Sequence, residues 1–172
     1  MAWWAAPFYD RILAPTEEAC FQRWRAEVLS GLSGHVIEIG AGTGANVPHY
    51  PATVERVVFS EPDPIMRRHL EQKLADARTH EHFAPDGAEV VIEHAHELPF
   101  DDDTFDAAVS TLVLCTVPDP EAALAELRRV VKPGGTFAFM EHVAAEDRPD
   151  RLRWQRRIDP VWKHLAGGCR LT

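Results

Sequence analysis

A chain of 172 residues that is 45% hydrophobic and 26% charged has the length and composition of one globular domain with a sizeable core. Its 18 Lys and Arg against 27 Asp and Glu give a net charge of −9, which argues against a nucleic-acid partner, because a phosphate backbone needs a basic face. Met1 to Phe8 is apolar but too short to span a bilayer and lacks a basic n-region, and Cys20, Cys115 and Cys169 contain no Cys-x-x-Cys pair; the expectations are a cytoplasmic chain, no stable membrane anchor, no disulfide framework and no metal site.

Taken in order, Thr16 is placed to cap a helix running to about Leu29, with Cys20, Phe21, Trp24 and Val28 at helical spacing and read as a core stripe. Residues 1–34 form an N-terminal helical lid in this reading, ahead of a Rossmann-like core over 35–172. Ser30 to Gly34 breaks the helix, and the first strand begins at His35 or Val36. Val36-Ile37-Glu38-Ile39 then delivers the chain into Gly40-Ala41-Gly42-Thr43-Gly44-Ala45-Asn46, a buried strand turning sharply toward a helix, with the glycines as a floor against which a ligand can lie. Gly40-x-Gly42-x-x-Ala45 also fits the dinucleotide fingerprint, so two cofactor classes compete for the loop.

A short helix is expected from Asn46 to about Tyr50, a second strand over Arg56 to Ser60 ending at Glu61, a turn at Pro62-Asp63-Pro64 and an amphipathic helix from Ile65 to Ala77. The third strand is Glu89 to Glu93 and the fourth Phe105 to Val113. Pro120 opens a helix that stops at Lys132-Pro133-Gly134-Gly135, and the fifth strand runs from Thr136 to about Met140. Such alternation predicts parallel βαβ units: a Rossmann-like open sheet of about five strands, order 3-2-1-4-5, with helices on both faces.

In such a sheet ligands gather beyond the carboxyl ends of the strands. Glu61 has the type and spacing to accept bonds from ribose hydroxyls. Glu38 would be an awkward neighbour for a pyrophosphate but suits the ammonium and sulfonium of S-adenosylmethionine; its plainer role is a buried acid bonded to backbone amides. His142, ending the fifth strand, is the best-placed base for a thiol acceptor, against the plainer role of a local hydrogen bond. Cys115 reads as a small packed apolar residue, and Asp101-Asp102-Asp103 as a solvated loop.

Glu38-x-Gly40-x-Gly42-x-Gly44, the acid Glu61, Leu98-Pro99-Phe100 followed by Asp102-x-Thr104-Phe105-Asp106, and Leu127 to Gly135 together resemble class I S-adenosylmethionine-dependent methyltransferases. Within them the chain is most similar to the thiol S-methyltransferase branch, through Gly42 to Asn46, Thr111 to Cys115, Phe139 to Glu146, Trp154-Gln155 and Asp159-Pro160-x-Trp162. The resemblance implies methyl transfer to a small-molecule acceptor, with S-adenosylmethionine as cofactor. It puts the methionine moiety against Glu38, Gly40, Ala41, Gly42 and Gly44, and the ribose on Glu61. Adenine would lie near Pro62 and His94-Ala95-His96, the sulfonium end over Thr111 and Leu112, and Tyr9 in the lid. His94 and His96 stand where many relatives carry Asp and Glu.

Relatives also continue past Thr172 into a helix and an antiparallel hairpin that complete a seven-stranded sheet, and the branch usually carries an N-terminal anchor longer than Trp3-Trp4. The expectation is a C-terminally truncated fold with an open strand-five edge, left for self-association or for residues 150–165 to cover. Two other functions stay open on sequence: an NAD(P)-dependent oxidoreductase and a non-catalytic cofactor-binding remnant.

Overall fold

The computed structural model describes residues 14–15, 17–76, 87–165 and 169–171. Tyr9 and Thr16, with the lid and capping roles expected of them, lie outside the described residues. Five parallel strands, β1 (Gly34–Ile39), β2 (Val54–Ser60), β3 (Ala88–Val91), β4 (Phe105–Thr111) and β5 (Val131–Met140), form one sheet in the order β3-β2-β1-β4-β5. The helices are α1 (Gln22–Leu29), α2 (Pro64–Ala75), α3 (Pro120–Val130) and α4 (Pro149–Leu165), and the expected strand order is found.

Strand alternation sorts the core into two layers. Val36, Val57, Phe59 and Val109 pack with Leu29, Val47, Tyr50 and Leu70; Ile37, Ile39, Val58 and Ala108 pack with Leu98, Phe105, Ala123, Leu127 and Val130. Glu38 shares its parity with Val36, so its side chain enters the first layer.

Three sequence expectations shift. The stripe Cys20, Phe21, Trp24 and Val28 is not the buried face: Trp24 is exposed, and Arg25 and Leu29 are the buried residues of α1. A π-helical stretch, Glu17–Phe21, lies directly before α1, so the segment departs from the uniform period that the spacing assumes. Strand β4 ends at Thr111, because Leu112 adopts φ 61°, a left-handed backbone incompatible with a strand. Strand β5 starts five residues earlier than expected; Phe105 pairs with Val131 and Ala107 with Thr136, so Lys132 to Gly135 bulge out between the two pairs with Gly134 at φ 82°.

Helix α3 begins with Pro120 in its first turn and Asp119 at its N-cap, whose carboxylate accepts from Ala122 N at 3.0 Å. Asp119→Ala is expected to destabilise the fold by about 1 kcal/mol, read as a shift of the urea midpoint at unchanged slope. Strand β5 lies at the sheet's edge; Phe137 and Phe139 stack on each other at 5.3 Å, and Phe139 is 58% exposed. Among the described residues no helix is long and apolar enough to cross a membrane.

Candidate cofactor cleft

Strand order reverses between β1 and β4, and a cleft of about 510 Å³ opens there beyond the carboxyl ends of the strands, as the topology requires. Glu38, Gly40, Ala41, Gly42, Glu61, Pro62, His94, Ala95, His96, Thr111, Leu112 and His142 all line it. Gly44 does not. It has φ 77°, and a Cβ there would come within 2.8 Å of Leu70 Cδ1, so its smallness serves the approach of α2 instead. Gly40 fills the role expected of the loop: φ is 57°, and a Cβ would stand 2.6 Å from Val113 Cγ1, which makes any larger residue both strained and overpacked.

Glu61, at the end of β2, braces this floor. Oε2 accepts from Gly42 N at 2.7 Å and Oε1 from Asp63 N at 2.9 Å. Burial raises its carboxyl above the ordinary range, and those two amide bonds oppose the rise. Each carboxylate oxygen retains a second lone pair, so Glu61 can still accept from a ligand.

Glu38 is 2% exposed and bonds to side chains rather than to backbone amides. Oε1 accepts from Asn46 Nδ2 at 3.0 Å and Oε2 from Tyr50 OH at 2.5 Å. Burial pushes its carboxyl up to about 7, with the bonds from Tyr50 and Asn46 acting the other way; burial, and then Glu38 itself, raise the Tyr50 phenol.

Arg25 completes this cluster, and sequence reasoning missed it. Its guanidinium is paired with Glu17 at 2.8 Å and donates to Asn46 Oδ1 at 2.9 Å and Thr111 Oγ1 at 3.1 Å. The one available signal was its spacing of four from both Phe21 and Leu29, which puts it on their helix face. A buried Arg is tolerated there because its donors are met by a carboxylate and two side-chain oxygens.

At the end of β3 the His94 and His96 rings stack at 5.4 Å, and His94 bridges to Glu97. Opposite, Leu112 keeps its left-handed backbone while its N donates to Met140 O at 2.8 Å, and strain in a bulky residue beside a cleft is characteristic of functional sites. Glu141 Oε1 accepts from Ser110 Oγ and Val113 N, and its Oε2 is buried without a hydrogen-bond partner among the described residues.

His142 stands at the cleft wall between two thiols, with Nδ1 3.1 Å from Cys169 Sγ and 3.8 Å from Cys115 Sγ. The hydrogen bond from Cys115, and then the imidazole, lower Cys169 below the ordinary thiol range, while the same thiol–thiol bond and burial raise Cys115. Cys169 in turn raises His142. Cys115 is thus part of a polar cluster and not merely packed. The absence of Cys-x-x-Cys spacing concealed it, because its members come from three distant stretches. Asp102 of the acidic loop is exposed and pairs with Arg129 at 2.9 Å, in keeping with a solvated loop.

The family described as "Methyltransferase domain" matches residues 37–139, from β1 through β5. The chain is similar to the thiol S-methyltransferase TMT1B of Rattus norvegicus, with 38% identity over 148 residues covering 84% of this chain and 58% of that protein. It is similar to the thiol S-methyltransferase TMT1A of Homo sapiens at 40% identity over 168 residues, covering 95% and 65%. The chain therefore spans about three fifths of the length of these relatives. Among solved structures, a Bacillus halodurans protein superposes with TM-score 0.70 at 19% identity, covering 85% of this chain and 61% of that one. An Aquifex aeolicus SAM-dependent methyltransferase does so with TM-score 0.60 at 20% identity, covering 81% and 77%; both show the fold. Neither alternative reading of the glycine loop is favoured by these likenesses, and S-adenosylmethionine is the cofactor that the family implies. A cleft at the switch point, a glycine floor braced by one buried acid and a second buried acid behind it thus occur in a chain that belongs to the methyltransferase-domain family.

Proposed function

We propose that the chain binds S-adenosylmethionine in this cleft and transfers its methyl group to a small-molecule acceptor, a thiol by preference. The observation that carries the reading is the pair of buried carboxylates, Glu38 and Glu61, on either side of the Gly40 to Gly42 floor. A pyrophosphate would meet the acid Glu38 there, whereas a ligand with a cationic amino acid end meets a complementary group, and Glu61 suits the ribose that follows. When bound, S-adenosylmethionine supplies a methyl group already activated by its sulfonium.

The residues then have to hold, align and exclude water. Glu38 faces the cationic end, Gly40, Ala41 and Gly42 admit the ligand to the backbone, and Glu61 accepts from the ribose. Pro62 and His94-Ala95-His96 flank the adenine, and Thr111 and Leu112 lie under the sulfonium. Residues 1–34 act as the lid, supported by Phe21 and Arg25 at the cleft wall, with Tyr9 assigned to it by resemblance alone. His142 takes a proton from the incoming acceptor. The thiol preference rests on the names of the TMT1A and TMT1B relatives.

Isothermal titration with S-adenosylhomocysteine and with NADH tests the cofactor. Micromolar-range binding of the first and none of the second is expected; binding of NADH alone would overturn the reading. A methyl-transfer screen over thiols, quinols and amines then tests the acceptor, with thiols expected to be turned over fastest.

A further inference from the structure

Cys115, His142 and Cys169 are separated by 27 residues in each interval, yet one ligand atom from each lies within 4.8 Å of the other two. The convergence is built rather than incidental. Cys115 sits in the turn after β4, where Thr116 N donates to Val113 O at 2.7 Å. His142 follows β5. Cys169 is carried back to face them by two bonds of its own segment: Arg170 N to Cys115 O at 2.9 Å and Leu171 N to Asp159 Oδ1 at 2.6 Å.

Ligand atoms at zinc distances of about 2.0–2.3 Å stand roughly 3.3–3.8 Å apart in a tetrahedron. The observed 3.1 and 3.8 Å from His142 Nδ1 to the two sulfurs bracket that spacing. Two thiols and an imidazole select a thiophilic ion over magnesium or calcium. A simple disulfide would use only the two sulfurs and leave the imidazole's position unexplained. Glu141, adjacent in sequence, acts electrostatically on both Cys115 and His142. His142 and Cys169 also line the cleft, so the open side of the triangle faces the space where an acceptor would sit.

We propose that Cys115, His142 and Cys169 form a three-ligand Zn²⁺ site whose fourth position opens into the cleft and takes the acceptor thiol. The acceptor part rests on the methyltransferase reading; the ion site does not. On loading, the two cysteine thiols lose their protons to solvent, the imidazole donates through Nδ1, and no electron changes hands. With His142 Nδ1 on the ion, the metal replaces the base role given to His142 above: a thiol entering the fourth position gives up its proton to solvent, and its sulfur is held as a coordinated thiolate. Three protein ligands with one open position is the pattern of reactive rather than structural zinc.

Co²⁺ titration of the reduced full chain provides the readout. Thiolate-to-cobalt charge-transfer bands and tetrahedral d–d bands are expected at one ion per chain, with Zn²⁺ displacing the cobalt. Cys115→Ser and Cys169→Ser are expected to weaken uptake at least 100-fold while Cys20→Ser leaves it unchanged, circular-dichroism melts confirming that each variant is folded. Adding a small thiol should shift the d–d bands. Absence of these bands in a chain that binds S-adenosylhomocysteine would overturn the ion site and leave the cofactor reading standing. Bands that ignore added thiol would overturn the open position. Bands in a chain that fails to bind S-adenosylhomocysteine would overturn the cofactor reading and, with it, the acceptor role.

Discussion

Glu61→Ala is expected to weaken S-adenosylhomocysteine binding by at least about 100-fold, since hydrogen bonds to a charged acceptor contribute roughly 1.5–3 kcal/mol each and the ribose offers two hydroxyls. The loss has a second source within the chain. Glu61 also accepts from Gly42 N and Asp63 N, so its removal frees the loop that forms the cleft floor. Glu61→Gln keeps one side-chain oxygen acceptor and should fall between the two. Titration calorimetry beside a thermal melt separates the effects: a folded Glu61→Ala chain that loses less than threefold in affinity would sink the ribose assignment.

A chain with a buried acid such as Glu38 should lose stability as the pH rises and gain cofactor affinity over the same range. Its carboxyl titrates near 7 when folded, against an ordinary value near 4.5, so between those values the folded state holds a proton that the unfolded state has released. Stability is therefore full below about pH 4.5 and falls through pH 7, by roughly 3 kcal/mol at about 1.4 kcal/mol per pH unit. Glu61, also raised, contributes with the same sign. Binding runs the opposite way because the cationic end of the ligand prefers the ionised acid; between pH 6 and 8 the ionised fraction, and with it the affinity, rises about tenfold. Urea denaturation across pH 5–8 checks the first slope and calorimetry the second. Glu38→Gln should flatten both, and a wild-type stability that rises over this range would contradict the buried-acid account.

The sheet was readable because its signals are local. Val36 to Ile39, Val57 to Phe59 and Phe105 to Val109 are largely β-branched or apolar runs, and their alternation with helices leaves few arrangements. The cleft residues followed because topology alone places strand ends together. What escaped depends on rotation and on long-range convergence. Arg25 faces inward and Trp24 outward in a helix that follows a π-helical turn at Glu17–Phe21, and hydrophobic spacing assumes a uniform helix. Gly44 read as floor because the glycines look alike in sequence, and only the position of Leu70 distinguishes it. Cys115, His142 and Cys169 meet through strand order and a returning segment, which no local spacing encodes.

The polar chain from Glu17 through Arg25 and Asn46 to Glu38 and Tyr50 also constrains how this protein can vary. Every member is a donor or acceptor to its neighbour, and all but Glu17 are buried, so a single replacement leaves the next group orphaned. Single substitutions along it should each be costly and pairs of them much less costly than their sum. Drift at these five positions is therefore expected to be concerted, with helix α1 and the cleft changing together or not at all.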